Sequence, residues 1–349
     1  MSRHSRKPTE GSGIQTLADA VVAGDRRALA RAITLVESSR DDHRAEARTL
    51  LAQLTPRSGN AIRIGISGVP GVGKSSFIEA FGKHIIGQGH RLAVLAVDPS
   101  SGRTGGSVLG DKTRMAGLAT NSSAFIRPSP SAGTLGGVAR RTRETIVLCE
   151  AAGFDVVLVE TVGVGQSEYA VADMTDMFVL LMLPGGGDEL QGMKRGIMEL
   201  ADLVLVNKAD GELKAAANRA AADYANALRL LKSRIRGWTV PVETCSAVEG
   251  KGIAEAWEQV EAFRHRFTRD GSISRRRGEQ ALAWLWNEIR EGLNAALMSD
   301  QIVADRVREL ESGVVRGETA VGEAASEVVE LFLKRSSPGA GAKRGKKAK

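Results

Sequence analysis

The chemistry in this chain is concentrated first in Gly68-Val69-Pro70-Gly71-Val72-Gly73-Lys74-Ser75, which fits Gly-x4-Gly-Lys-Ser, with Ser76 directly after it. Each residue type has a use. Glycines let backbone N–H groups turn inward around phosphates, and a helix N-terminus behind them adds partial positive charge. Lys74 is placed to bridge β- and γ-phosphates, and the Ser75 hydroxyl to ligate Mg²⁺. The flanks agree: Ile62–Ser67 reads as a short strand and Ser76–Ile86 as a helix. Strand, glycine loop, helix is the context that separates a phosphate loop from a glycine-rich turn.

Two carboxylates follow at the ends of apolar runs. Asp98 ends the strand Leu92–Val97, where it serves as a partner of Mg²⁺ or of its water, or as an ordinary turn residue. Glu160 ends the strand begun at Asp155, in the Walker-B-like place more often held by aspartate. Three residues later, the Gly163 N–H can touch a γ-phosphate and release the loop Val164–Glu168 on hydrolysis. In small GTPases of the Ras type a glutamine directly after that glycine orients water. Here Val164 holds that position and Gln166 comes two later, so slow intrinsic hydrolysis is expected. Residues 100–117 are long, polar and glycine-rich and carry Asp111, Lys112, Thr113 and Arg114; they read as a γ-phosphate-sensing switch or as a plain loop. The strand Asp176–Leu183 runs into Pro184–Arg195, with three consecutive glycines and Lys194. This is a second moving loop or a simple strand-to-helix turn.

The third constellation reads a base. After the strand Leu203–Val206 come Asn207, Lys208 and Asp210. A carboxylate at Asp210 accepts from guanine N1–H and the 2-amino group, and adenine has neither donor. Asn207 supports the surrounding loops and the Lys208 stem covers the ring. The segment Thr244–Gly252 follows a strand near Val240–Glu243, and its Ser246-Ala247 backbone is placed to meet guanine O6.

The elements that must position these groups divide the chain into five stretches. They are an unstructured 1–13, a helical N-terminal extension 14–58, a nucleotide domain 59–270, a helical arm 271–333 and a basic tail 334–349. In the extension, Asp25 caps a helix carrying Leu29, Ile33 and Leu35, and another carries Ala45, Leu50, Leu51 and Leu54; the extension reads as a structural cap. Alanine-rich 212–233 and amphipathic 252–267, with Ile253, Trp257, Val260 and Phe263 on one face, read as helices. In the arm, Leu282, Leu285, Trp286, Ile289, Leu293 and Leu297 form a stripe at helical spacing that needs covering, by the parent domain or by a second copy.

Composition sets the class. The 349 residues are 42% apolar, enough for a proper core. The formal charge of +7 sits in the ends: residues 334–349 hold seven basic residues and no acid, and without both termini the body is slightly acidic. A basic nucleic-acid footprint over the body is therefore not indicated, although a tail that binds nucleic acid is a rival reading. Two cysteines, Cys149 and Cys245, make no metal or disulfide framework and suit a reducing compartment. The start lacks an apolar signal region, and no apolar run spans a bilayer. The expectation is a cytoplasmic protein with neither nucleic acid nor membrane as partner.

Taken together, the phosphate loop, Val97-Asp98-Pro99-Ser100-Ser101, Thr104–Met115, Arg127–Gly137, Val159–Glu168 and Asp188–Lys194 resemble the MeaB/ArgK family over about residues 15–300. These are GTPases associated with methylmalonyl-CoA mutase. The resemblance implies an α/β P-loop NTPase fold of SIMIBI type, a mostly parallel sheet flanked by helices, with an N-terminal helical preface and a C-terminal helical dimerisation arm. It implies a homodimer that hydrolyses GTP to GDP with Mg²⁺. The partner would be an adenosylcobalamin-dependent acyl-CoA mutase, whose cofactor loading the protein gates and which it protects from inactivation. With no cobalamin-ligating motif in this chain, adenosylcobalamin is expected on the partner. By match of motif, Lys74 and Ser75 bind phosphate and metal, Asp98, Asp111 and Glu160 surround the metal and switches, and Lys194 lies in a third switch. The basic tail falls outside the family pattern. Two further rivals are a nucleotide-dependent kinase linked to amino-acid transport and a metal-insertion GTPase. Asp210 argues against ATP, and the scattered His and Cys argue against metal delivery.

Overall fold

The computed structural model describes residues 10–97, 115–128, 135–161, 167–185, 195–231 and 234–336. The chain divides after Arg277 into two compact units. The first holds a seven-stranded sheet in the order β3-β2-β4-β1-β5-β6-β7, from β1 (Ile62–Gly68), β2 (Leu92–Val97), β3 (Ala124–Arg127), β4 (Val156–Thr161), β5 (Met177–Met182), β6 (Leu203–Val206) and β7 (Val242–Thr244). Every pairing is parallel. The central strands are apolar on both faces, as parallel strands covered by helices must be. All six residues of β2, β4 and β5 are buried.

Helices cover both faces. On one lie α4 (Lys74–Gly87) and α5 (Ala116–Thr120). Phe77, Phe81 and Ile85 of α4 pack there with Ile62, Ile64 and Ile66 of β1. On the other face lie α6 (Leu135–Ala151) and α7 (Ser167–Ala172), and outside them the N-terminal helices α1 (Glu10–Val22), α2 (Arg26–Glu37) and α3 (Asp41–Leu54). Leu29 and Ile33 of α2 and Leu50 and Leu54 of α3 share one core with Ile146 and Cys149 of α6. Asp25 caps α2, accepting from the Arg27 and Ala28 N–H groups at 2.7 and 2.9 Å. Arg26 donates to the Asn121 and Ser122 carbonyls, and Arg127 pairs with Glu37, fixing α2 beside β3.

Beyond β5 come α8 (Arg195–Met198), α9 (Lys214–Leu230) and α10 (Ile253–Arg269). Ile253, Trp257, Val260 and Phe263 of α10 are all buried, as their spacing predicts.

Several local readings differ. Helix α1 begins at Glu10, inside the stretch read as unstructured from Gly11 and Gly13, because a formed helix extends at its end far more cheaply than it nucleates. Ala45 is exposed, and Ala47 takes its place in the core of α3. The turn before α9 is a 3-10 turn at Gly211–Leu213, so that helix starts two residues later than its composition suggests.

The first unit runs through Arg277, and ionic contacts hold that end of the chain. Helix α11 (Ser272–Ser299) opens with two arginines directed at the amino ends of the strands. Arg277 donates to both Asp176 carboxylate oxygens, at 2.7 and 2.5 Å, and to the carbonyls of Gly59 and Ala61. Arg276 donates to the carbonyls of Asp176 and Ala172. Beside them Arg63 pairs with buried Glu150, and Arg234 with buried Asp202, whose carboxyl burial pushes up against the pull of Arg234 and Arg276.

The second unit comprises the rest of α11, α12 (Gln301–Val315) and α13 (Val321–Ser336). Helix α12 does not stand out as a separate element in the sequence. Asp300 caps it, and Arg306–Glu327 and Arg335–Asp300 pairs, both 2.6 Å, join α12 to α13. The stripe on α11 is exposed: Leu282, Leu285, Trp286 and Leu293 each show more than half of their surface. Leu297 is half-buried.

Breaking a buried ion pair from one side strands the other charge. Arg277→Ala leaves Asp176, whose side chain is 1% exposed, without its guanidinium. Urea denaturation is expected to show a loss of about 3 kcal/mol in unfolding free energy; a loss below about 1 kcal/mol would mean that water replaces the arginine.

Candidate functional site

The order of strands sets where a ligand can bind. From β1 the chain crosses to β2 on one side, and from β4 to β5 on the other, so the carboxyl ends of β1 and β4 border the point where the winding reverses. Ligands of open α/β sheets bind at that crevice. Ile66 of β1 stands in register with Glu160 of β4. The phosphate loop leaves one strand where the acid sits on the other, a strand spacing of about 4.8 Å away. Buried Thr161 donates its hydroxyl to Ser67 Oγ at 2.8 Å and ties the two strand ends together.

The loop itself turns tightly. Val72 N–H bonds to the Val69 carbonyl at 3.2 Å, Pro70 and Gly71 face solvent, and Val72 is buried. Gly73 has a φ of +92°, and a Cβ there would lie 2.9 Å from Asn207 Nδ2, so only glycine fits. Lys74 opens α4 and donates to the Gly68 carbonyl at 2.7 Å. Burial pulls its ammonium below the ordinary lysine range, and the carboxylates of Glu160 and then Glu168 oppose that pull. Ser75 is half-buried beside it, Ser76 is exposed, and Glu160 is 5% exposed.

Asn207 joins this loop to the base-reading segments. Its Nδ2 donates to the Val72 carbonyl at 2.8 Å, and its Oδ1 accepts from the Ala247 N–H at 3.2 Å and from Cys245 Sγ at 3.6 Å. Burial in this junction pushes the Cys245 thiol up to about 12, so it is an inert packing group. Lys208 is the one non-glycine with positive φ among the described residues, at 60°. Such a conformation costs about 1 kcal/mol and is retained where the surroundings fix it. Asp210 is half-buried and accepts a hydrogen bond from the Ser246 hydroxyl, which itself accepts from the Glu249 N–H at 3.1 Å. The side chain of Ser246, read from the sequence only for its backbone, thus orients the carboxylate.

The structure brings Gly68, Val69, Val72, Gly73, Lys74 and Ser75 together with Glu160, Asn207, Asp210, Ser246 and Ala247. Asp98, Asp111, Gly163 and Lys194 lie outside the described residues, as do the loops around them. Among the described residues no group of three or more His, Cys, Asp or Glu gathers as a metal site. Two contributors were not legible as site residues. One is the Ser67–Thr161 pair, which sequence shows only as two hydroxyls in separate strands. The other is Glu168, read from the sequence only as the end of the loop Val164–Glu168, whereas it stands buried in the first turn of α7.

Comparison with known proteins agrees with this geometry. Residues 29–301 match the family model described as methylmalonyl Co-A mutase-associated GTPase MeaB. This chain belongs to the MeaB family. It is therefore a P-loop GTPase. A probable GTPase of Mycobacterium tuberculosis is 57% identical over 318 residues, covering 91% of this chain and 95% of the relative. The mitochondrial methylmalonic aciduria type A homolog of Mus musculus is 47% identical, covering 92% of this chain and 80% of that protein. A crystal structure of an LAO/AO transport system kinase superposes with a TM-score of 0.74 at 36% identity, covering 94% of this chain and all of that one.

The junction at Asn207 gives a direct test. Asn207→Ala removes three hydrogen bonds and leaves the Val72 carbonyl, the Ala247 N–H and the Cys245 thiol without this partner. Each loss is worth about 1 kcal/mol or more. Titration calorimetry is expected to show GTP and GDP both weakened by ~10–100-fold, with the circular-dichroism spectrum unchanged. Weakening of GTP alone would show that Asn207 acts at the γ-phosphate rather than through the scaffold.

Proposed function

We propose that this protein uses slow GTP hydrolysis as a conformational clock on an adenosylcobalamin-dependent acyl-CoA mutase, gating cofactor loading and protecting the mutase from inactivation. The observation that carries the reading is the Asn207 side chain, which joins the phosphate loop to the Ala247 strand end in one cradle, in a chain whose family is described by that mutase.

In this reading Gly68–Ser76 hold the phosphates through backbone N–H groups, and Lys74 neutralises charge that develops between the β- and γ-phosphates. Asp210, held by Ser246, pairs with the guanine edge, while the Lys208 stem covers the ring and the Ser246-Ala247 backbone meets guanine O6. Ser75 in the first turn of α4 and Glu160 near the end of β4 fit Mg²⁺ as hard oxygen donors. Asp98 and Asp111 would complete the metal's surroundings. Bound there, the metal would draw charge from the transferring phosphoryl group. Gly163 and Lys194 would report the γ-phosphate to the loops that carry them. Adenosylcobalamin would be carried on the mutase, and the protein would act in the cytoplasm. Among the described residues no helix is long and apolar enough to cross a membrane.

A kinase reading is favoured by one observation, the name given to the solved relative. It lacks a readable acceptor pocket or catalytic base. The deciding measurement is the hydrolysis rate of GTP, with ATP as control, with and without a purified acyl-CoA mutase of the same cell. The expected outcome is slow GTP turnover that rises with the mutase, and no ATP turnover. A GTP rate indifferent to the mutase removes the partner; preference for ATP overturns the assignment of Asp210 to guanine.

The arm would pair two copies through the stripe on α11. Its exposed leucines and Trp286 have the spacing of one helix face and the apolar character of an interface centre. Leu285→Asp with Trp286→Asp is expected to convert a dimer to a monomer in sedimentation velocity, with GTP affinity unchanged. A wild-type monomer at high concentration would end this part of the proposal.

A further inference from the structure

Glu168 is 0% exposed, and no role in the chemistry above uses it. Its position follows from packing. Residue 65 of β1 is glycine, and a Cβ there would lie 2.8 Å from Val171 Cγ1 and 3.0 Å from Thr175 Oγ1. The missing side chain therefore lets α7 and the turn after it settle directly on β1. Thr175 closes that turn by donating to the Val171 carbonyl at 2.8 Å. Glu168 stands one turn before Val171, on the same face of α7.

Helix α7 carries the chain from the carboxyl end of β4 to the amino end of β5, so it runs antiparallel to both. One turn back from Val171 is therefore about 5 Å nearer the carboxyl end of the sheet. On β1 the same direction leads from Gly65 to Gly68, whose carbonyl holds the Lys74 ammonium. The row on α7 thus delivers a buried carboxylate beneath the phosphate loop. The electrostatics agree, since Glu168 is one of two carboxylates that support the charged form of Lys74 against its burial.

We propose that Glu168 is the resident counter-charge of the phosphate-loop lysine. Its carboxylate stands beneath the loop that carries Lys74, and an incoming polyphosphate must compete with it. Glu168 is then a positioning residue that sets how tightly nucleotide is held and how fast it leaves. This division of labour separates the two buried acids near Lys74. Glu160 ends a strand at the crevice, where a cation bound with the nucleotide offsets its charge. Glu168 lies behind the loop, where its negative charge opposes bound phosphate, and like charges brought together in a dry site cost affinity. A site built only for tight binding would have no use for it. A protein that must exchange GDP for GTP does, because a standing counter-charge lowers the barrier to release.

The inference rests on the reading of Gly68–Ser76 as a guanine-nucleotide site, and the test separates the two. Wild-type protein, Glu168→Gln and Glu168→Asp are titrated with GDP and a non-hydrolysable GTP analogue, and release of fluorescent GDP is timed by stopped flow. Glutamine keeps the shape of glutamate and its capacity to hydrogen-bond but removes the charge. Glu168→Gln is expected to tighten both nucleotides by about 10-fold and to slow GDP release by a similar factor. Glu168→Asp, whose carboxylate is drawn back from the lysine, is expected to fall between Gln and Glu. A purely structural carboxylate would give the opposite sign, since loosening the loop weakens binding. Unchanged or weaker binding in a Glu168→Gln protein that melts normally overturns the proposal. If that variant does not fold, unchanged or weaker binding by Glu168→Asp does so. Failure of the wild-type protein to bind GDP at all would instead refute the nucleotide-site reading.

Discussion

The site depends on one carboxamide. Asn207 ends β6, yet its side chain reaches the Val72 carbonyl in the phosphate loop with one atom and the Ala247 N–H beyond β7 with the other. The phosphate-loop motif follows the central strand β1, whereas Asn207–Asp210 and Ser246-Ala247 follow β6 and β7 at one edge of the sheet. Without a common strut each could move independently, and a ligand would bear the entropy of bringing them together. Burial of Asn207 at 2% exposure makes the strut stiff, because breaking either bond strands a buried polar group. The glycine at 73 is part of the same constraint, as any side chain there would occupy the space of the Asn207 amide.

A strut of this kind works only if the sheet beneath it does not shear. The opposite end of the sheet supplies that rigidity. Asp176 and Asp202 at the amino ends of β5 and β6 are buried and answered by Arg277 and Arg234, and Glu150 of α6 is answered by Arg63 of β1. Such pairs add little net stability compared with apolar packing of the same volume, and their value lies in geometry. Arg277 and Arg234 also hold backbone carbonyls, so a slipped strand would break several charged bonds at once.

The sheet was legible because parallel buried strands are continuous apolar runs. Leu92–Val97, Asp155–Val159 and Leu203–Val206 needed only their composition and the polar residues Asp98, Glu160 and Asn207 that end them. The phosphate loop and Asn207-Lys208-Ala209-Asp210 were legible because their chemistry is local in sequence. Relations that depend on which strands are neighbours could not be read. Ser67 and Thr161 are ordinary hydroxyls until β1 and β4 are known to adjoin. Glu168 looks like the end of a loop until Gly65 is known to admit α7. Arg276 and Arg277 look like solvated charge at the start of an arm. They prove to be largely withdrawn from solvent, because the strand ends beneath them present two carboxylates and a row of carbonyls.

These non-local relations also explain the balance of charge at the lysine. The described part of the crevice holds one ammonium, Lys74, and two buried carboxylates, Glu160 and Glu168, so its own charge is negative. A triphosphate entering alone would meet that charge at short range in a poorly screened site. A triphosphate entering with a divalent cation would meet it differently, because a cation held by Ser75 and Glu160 would offset part of that charge. Such an arrangement would favour the metal-bound nucleotide over the free one. The unfavourable part of the interaction is then confined to Glu168, placed on the helix that follows directly from the Glu160 strand and its loop.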